Sequence, residues 1–119
     1  MTIYVKEGAD SVMTGLDNMK AAMIEDYENF GGEMTDIRKR MCAEYAENFT
    51  ITYGKKYIKI TEKRGGVKAF VVNVDNDKKF KKGDILKPAG YAAPARNGAR
   101  GNILEGNYPI NWTGPLYMR

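Results

Sequence analysis

Residues 49–61 read FTITYGKKYIKIT, and the fold turns on how they are read. FTITY and YIKIT alternate apolar with polar residues and are rich in β-branched side chains, the period-two pattern of strands. Gly54-Lys55-Lys56 between them is short enough for a hairpin turn.

Upstream the period is helical. Val12, Leu16, Met19, Met23, Tyr27 and Phe30 recur every three or four residues, which lines them up along one face of a helix. Asp10 or Ser11 can cap its start, because a short oxygen-bearing side chain satisfies the free amides of a first turn. Gly31-Gly32 stops it. A second stripe follows in Met34, Ile37, Met41 and Tyr45, capped by Thr35, with Asp36, Arg38, Lys39, Arg40, Glu44 and Glu47 on its other faces.

Downstream the period stays at two. Arg64-Gly65-Gly66 turns into VKAFVVNV, a strand apolar enough to be central, and Asp75-Asn76-Asp77 ends it. Lys81-Lys82-Gly83-Asp84 opens the short strand ILK, which Pro88 closes. Two further strands are expected in ILE (103–105) and NWTGPLYM (111–118), separated by Gly106-Asn107. Helices first and strands afterwards predict an α+β fold, with the two N-terminal helices packed on one antiparallel β-sheet of about five or six strands. Residues 1–119 then form a single domain, with a helical pair in 1–48 and a β-rich, ligand-binding part in 49–119. The methionines of the helical half are expected to fill the helix–sheet core or a seam between subunits.

Composition narrows the function. No histidine is present, which removes the commonest general base and metal ligand, and Cys42 is the single cysteine, so neither an internal disulfide nor a zinc cluster is expected. No enzymatic activity, cofactor or metal is therefore expected. No apolar run is long enough to span a bilayer and the amino end does not read as a signal peptide, so a cytoplasmic protein is expected. Residues 1–48 hold five lysines and arginines against ten aspartates and glutamates, a net −5, whereas residues 49–119 hold fourteen against five, a net +9. Such a split suits a chain that binds an anion with its basic half, or one whose copies dock acidic half to basic half.

One segment concentrates anion-binding chemistry. Residues 93–102 read APARNGARGN. If Pro94 opens a helical turn, Arg96 and Arg100 fall at i and i+4 and their guanidinium forks emerge together, with Asn97 beside them. Each fork matches phosphate oxygens, and such charge-assisted bonds contribute about 1.5–3 kcal/mol. Gly98 and Gly101 would let backbone amides approach an anion, and Asn97 and Asn102 could read ribose hydroxyls or a base edge. Phe80, inside the lysine run DNDKKFKKGD, and Tyr91, just before the arginines, are candidate rings for a stacked base, worth on the order of 1–3 kcal/mol. Phe80 can equally serve as a staple pinning its turn to the sheet. No phosphate-binding loop, dinucleotide fingerprint, helix-turn-helix or RNA-recognition signature appears.

The order of features, two amphipathic helices followed by YIKIT, FKKGDILKPAGYAAPARNGARGNIL and NWTGP, resembles the first family of Thoeris anti-defence proteins, phage sponges that sequester cyclic ADP-ribose signals. The resemblance implies an α+β fold, homo-oligomers, and sequestration of a cyclic ADP-ribose isomer without cleavage, with cyclic oligonucleotides as a second ligand class. On that reading Arg96 and Arg100 hold the phosphates, Phe80 or Tyr91 the adenine, and Asn97 or Asn102 the polar edges. The contacts of one protomer sum to about 6–12 kcal/mol before ordering costs. A second subunit is therefore expected to close the pocket, with Arg38, Arg40 or the chain start as its contribution. The rival reading is a small nucleic-acid-binding or phage structural protein that uses the basic half as a continuous surface.

Overall fold

The computed structural model describes residues 3–29 and 33–115. Strand β1 (Ile3–Val5) precedes helices α1 (Val12–Asn29) and α2 (Asp36–Glu47), and strands β2 (Phe49–Tyr53), β3 (Tyr57–Glu62), β4 (Gly66–Val72), β5 (Ile85–Leu86), β6 (Tyr108–Asn111) and β7 (Gly114–Pro115) follow. The α+β class is as the sequence indicates, but the strands divide between two antiparallel sheets, ordered β2-β3-β4-β5 and β1-β6-β7.

The hairpin that decides the reading forms as expected. β2 and β3 pair without interruption from Phe49↔Glu62 to Tyr53↔Ile58, and the Gly54 amide donates to the Tyr57 carbonyl at 2.9 Å to close the turn. β4 is interior and is buried on both faces. Its Ala69 and Val71 join Leu16, Met19 and Met23 of α1, with Ile58 and Ile60, in the main core. Its Phe70 and Val72 point the other way, into a second cluster completed by Leu86 and Phe80. Such alternation is what a strand covered on both faces requires.

The helices begin where short hydroxyl side chains cap them. Ser11, rather than Asp10, accepts from the Thr14 amide at 3.2 Å, and Thr35 accepts from the Arg38 amide at 3.1 Å. α1 buries its expected stripe, with Leu16, Met19 and Met23 all within 2% of full burial. α2 does not. Of its stripe only Tyr45 is buried, Met34, Ile37 and Met41 are exposed, and the helix packs through Tyr45 and Cys42. The Tyr45 ring stacks on Tyr27 with centroids 4.2 Å apart, and its hydroxyl donates to the Trp112 carbonyl at 2.6 Å. The Trp112 amide in turn donates to Asp26 at 2.9 Å, tying the β6–β7 turn to α1.

Three further expectations are corrected. The first 48 residues are not helical throughout, because Ile3 and Val5 pair with Ile110 and Tyr108. A three-residue strand is too short to show a period, and its partner lies at the far end of the chain. Residues 103–105 form a turn rather than a strand, since the Asn102 side chain captures the amides of Leu104 and Glu105 at 2.8 and 3.0 Å. The terminal segment supplies β6 and β7 as a hairpin that starts before Asn111, at Tyr108. The expected helix stop at Gly31-Gly32, the stripe residue Phe30, the chain start and the last residues, 116–119, lie outside the described residues.

Candidate functional site

Two turns meet above the second cluster. One is the β2–β3 hairpin tip, whose Gly54-Lys55-Lys56 presents two lysines. The other is the segment 73–80 that leaves β4, joined to the first where the Asn73 amide donates to the Lys56 carbonyl at 2.8 Å. Asp77 folds this second turn by accepting from the amides of Lys79 and Phe80 at 2.8 and 2.9 Å. Phe80 then drops onto Phe70, Val72 and Leu86 and is 5% exposed. The ring surrounded by lysines is thus the staple, and burying it contributes on the order of 1.5–3 kcal/mol. It is closed to a stacked base.

Arg96, distant in sequence, reaches this turn. Its guanidinium donates to Asp77 at 3.0 Å and to the Tyr57 hydroxyl, and lies 4.9 Å from the Phe80 ring centroid. Lys79 donates to the Arg96 carbonyl at 2.6 Å and fixes the backbone there. Lys56 completes the cluster 3.2 Å from the other Asp77 oxygen. The Asp77 side chain is 1% exposed. The Arg96 guanidinium first, then the two turn amides, hold its carboxyl well below the usual carboxylate range.

Together Lys55, Lys56, Lys78 and Arg96 face a cleft of about 500 Å³ that also touches Val74, Asn76 and Asp77. Lys55 and Lys78 make no ion pair among the described residues, and the one carboxylate is already engaged by Arg96 and Lys56. A smaller cavity of about 220 Å³ adjoins it, sharing Lys55 and Lys56 and walled by Tyr57, Lys59, Phe70 and Ala92. Next to Ala92, Tyr91 is 73% exposed, and the Lys59 ammonium sits 3.9 Å from its ring centroid.

The segment 93–102 is not the paired-fork cradle expected of it. Pro94 pairs with Pro88 in an isolated bridge, and the chain runs extended, so no helical turn forms. Arg96 turns to Asp77, whereas Arg100 turns back on its own segment, donating to the Gly98 carbonyl and the Asn97 side chain, each at 3.3 Å. Asn97 is exposed beside it. Asn102 is 5% exposed and committed to the fold, donating to Asp84 at 2.9 Å and to the Lys82 carbonyl at 3.0 Å. Gly101, at φ 154°, leaves no room for a side chain against Tyr108. Arg38, one of the groups expected to reach across to another copy, lies with its guanidinium 4.9 Å from its own Tyr27 ring.

Of the six sequence-predicted residues, then, Arg96 lines the cleft, Tyr91 stands next to Ala92 and Lys59 of the smaller cavity, Arg100 and Asn97 pair with each other, and Phe80 and Asn102 are structural. The residues missed are Lys55, Lys56, Asp77 and Lys78. Their signal is legible locally, in a Gly-Lys-Lys hairpin tip, a polar turn ending at Asp77 and the lysine run around Phe80, but nothing local says that the two turns meet as halves of one basic cleft. No curated protein and no solved structure matches the chain. The chain belongs to a family of unknown function, DUF7717, whose model matches residues 5–118.

Proposed function

We propose that the protein binds and holds a compact nucleotide carrying two phosphates, of the cyclic ADP-ribose type, in the cleft between the hairpin tip and the 73–80 turn. The observation that carries this reading is the convergence of Lys55, Lys56, Lys78 and Arg96 on a space of about 500 Å³ whose one carboxylate is already neutralised. Small-molecule sites run from about 300 to 1,000 Å³. Lys55 and Lys78 supply mobile cations for phosphate, Arg96 a fixed one, and the outer face of Tyr91 a platform for a base. Retention without cleavage fits the same residues. A carboxylate held as firmly ionised as Asp77 is a weak proton acceptor, and no histidine is available to replace it. The role of a phage anti-defence sponge acting in the host cytoplasm belongs to this proposal and draws on the sequence resemblance.

Calorimetry with a cyclic ADP-ribose isomer, ADP and inorganic pyrophosphate tests it. Both nucleotides are expected to bind, Lys55→Ala and Lys78→Ala each to weaken binding by about tenfold or more, and heating to release the ligand intact. Absence of binding at millimolar nucleotide overturns the proposal, and release of an altered ligand replaces it with an enzyme. A second reading, a nucleic-acid surface, is favoured by one observation: the basic rim continues past the cleft through Lys59 and Tyr91. It predicts tighter binding to a single-stranded oligonucleotide than to either nucleotide, with a steep log-linear loss in salt.

A further inference from the structure

The four-stranded sheet ends differently at its two edges. At β5 the edge is covered: the Ile85 amide donates to the Gly101 carbonyl at 2.8 Å, the Arg100 amide to Ile85 at 2.7 Å, and the Ala95 amide to Lys87 at 2.7 Å, so the segment 94–103 runs along it. At β2 no strand follows among the described residues. Edges of this kind are ordinarily guarded by a lysine, a proline, a bulge or extreme shortness. FTITY has five residues, no charge and no proline, and its ladder with β3 is unbroken.

The phase of the ladder shows which groups the edge offers. Gly54 bonds to Tyr57 at one end and Lys63 to Asn48 at the other, so the even-numbered residues of β2 turn their backbone groups toward β3. The amides and carbonyls of Phe49, Ile51 and Tyr53 therefore point off the sheet. Moreover, FTITY reads almost identically in both directions: aromatic, threonine, isoleucine, threonine, aromatic.

We propose that β2 pairs antiparallel with β2 of a second copy about a twofold axis at Ile51, joining two four-stranded sheets into one. That register sets Ile51 against Ile51, each Phe49 against Tyr53, and each Thr50 against Thr52, all pair types that stabilise antiparallel ladders. The odd-numbered residues that offer free backbone groups are the ones that meet, so the hydrogen-bond phase agrees with the side-chain match. Faces agree as well. Phe49 and Ile51 pack partly against the main core, and Tyr53, on the same face by alternation, is 56% exposed; Phe49 of the second copy would cover it. Continued one turn outward, the register carries Lys55 toward Glu47 of the second copy, and neither residue makes an ion pair among the described residues of its own chain. The acidic end of α2 thereby meets the basic hairpin tip, and the cleft wall residue Lys55 comes to lie at the junction. The isologous geometry closes on itself, so a dimer forms rather than a filament.

This pairing does not depend on the nucleotide reading, and its test needs no ligand. Sedimentation velocity over a range of protein concentrations is expected to show a species of twice the 13.4 kDa chain mass. Tyr53→Pro removes an outward amide and leaves the β2–β3 bonds in place, because proline is tolerated where a strand's N–H faces solvent. The double variant Thr50→Lys, Thr52→Lys alters two exposed side chains and sets lysine against lysine across the axis. Each is expected to raise the dimer dissociation constant by about tenfold or more while far-ultraviolet circular dichroism stays that of the parent. Ile37→Ser, on the exposed face of α2, is expected to leave it unchanged. A monomer at every concentration overturns the proposal, as does a dimer that survives both strand variants or dissociates on Ile37→Ser.

Discussion

Helices α1 and α2 announce themselves in the sequence by the same apolar spacing, yet one buries its stripe and the other displays all of it but Tyr45. α1 shares its core with residues of both sheets, and its small residues let it come close: a side-chain carbon built at Gly15 would sit 2.8 Å from the Ile103 carbonyl oxygen. Ala22 is likewise buried beside Met19 and Met23. α2 packs against α1 and the aromatic group of Tyr27, Tyr45 and Trp112, and Ile37 is 68% exposed. Period alone thus says that a helix forms. What lies opposite decides which face is buried.

That contrast can be broken most directly by large-to-small changes. Leu16→Ala or Met23→Ala is expected to cost about 2–5 kcal/mol in urea unfolding, and Ile37→Ala less than about 0.5 kcal/mol; comparable costs in the two helices would dissolve the distinction. Gly15→Val should sharpen it by overpacking the α1 contact with the 102–105 turn, at about 1–3 kcal/mol. On α2 the expected losses are those of single polar contacts. Tyr45→Phe gives up the bond to Trp112, and Thr35→Ala gives up the cap, at about 1 kcal/mol each; the latter should appear first as faster amide exchange in the opening turn of α2. The smallest effect asks whether charge does at the cleft what packing does at α1. Because the folded Asp77 carboxyl is held below its ordinary value, its contribution is complete above about pH 4, the unfolded aspartate value, and fades as pH falls further. Melting temperatures taken at pH 5 and pH 3 should therefore differ more for the parent than for Asp77→Asn.

The parts of the fold that were legible are those written locally. The change of period at Phe49, the glycine of the hairpin tip and the apolar run of β4 each identify an element within a few residues. What stayed hidden depends on distant partners. β1 is a strand because Ile110 stands beside Ile3, and nothing in Ile3-Tyr4-Val5 says so. Phe80 among four lysines reads equally as a stacking ring or a staple, and Phe70 and Leu86 beneath it decide for the staple. The candidate site followed the same rule. Arg96 was found from its own chemistry, but its partner Asp77 lies nineteen residues earlier, and the pairing that separates it from Arg100 is written there.

β4 serves as a party wall between two rooms. Ala69 and Val71 hold up the helical side, Phe70 and Val72 the cleft side, and a slip of one residue would exchange the tenants of both at once. The floor beneath the cleft therefore cannot rearrange far on its own account: a ligand bound there as proposed would be anchored, through one backbone, to the packing of α1.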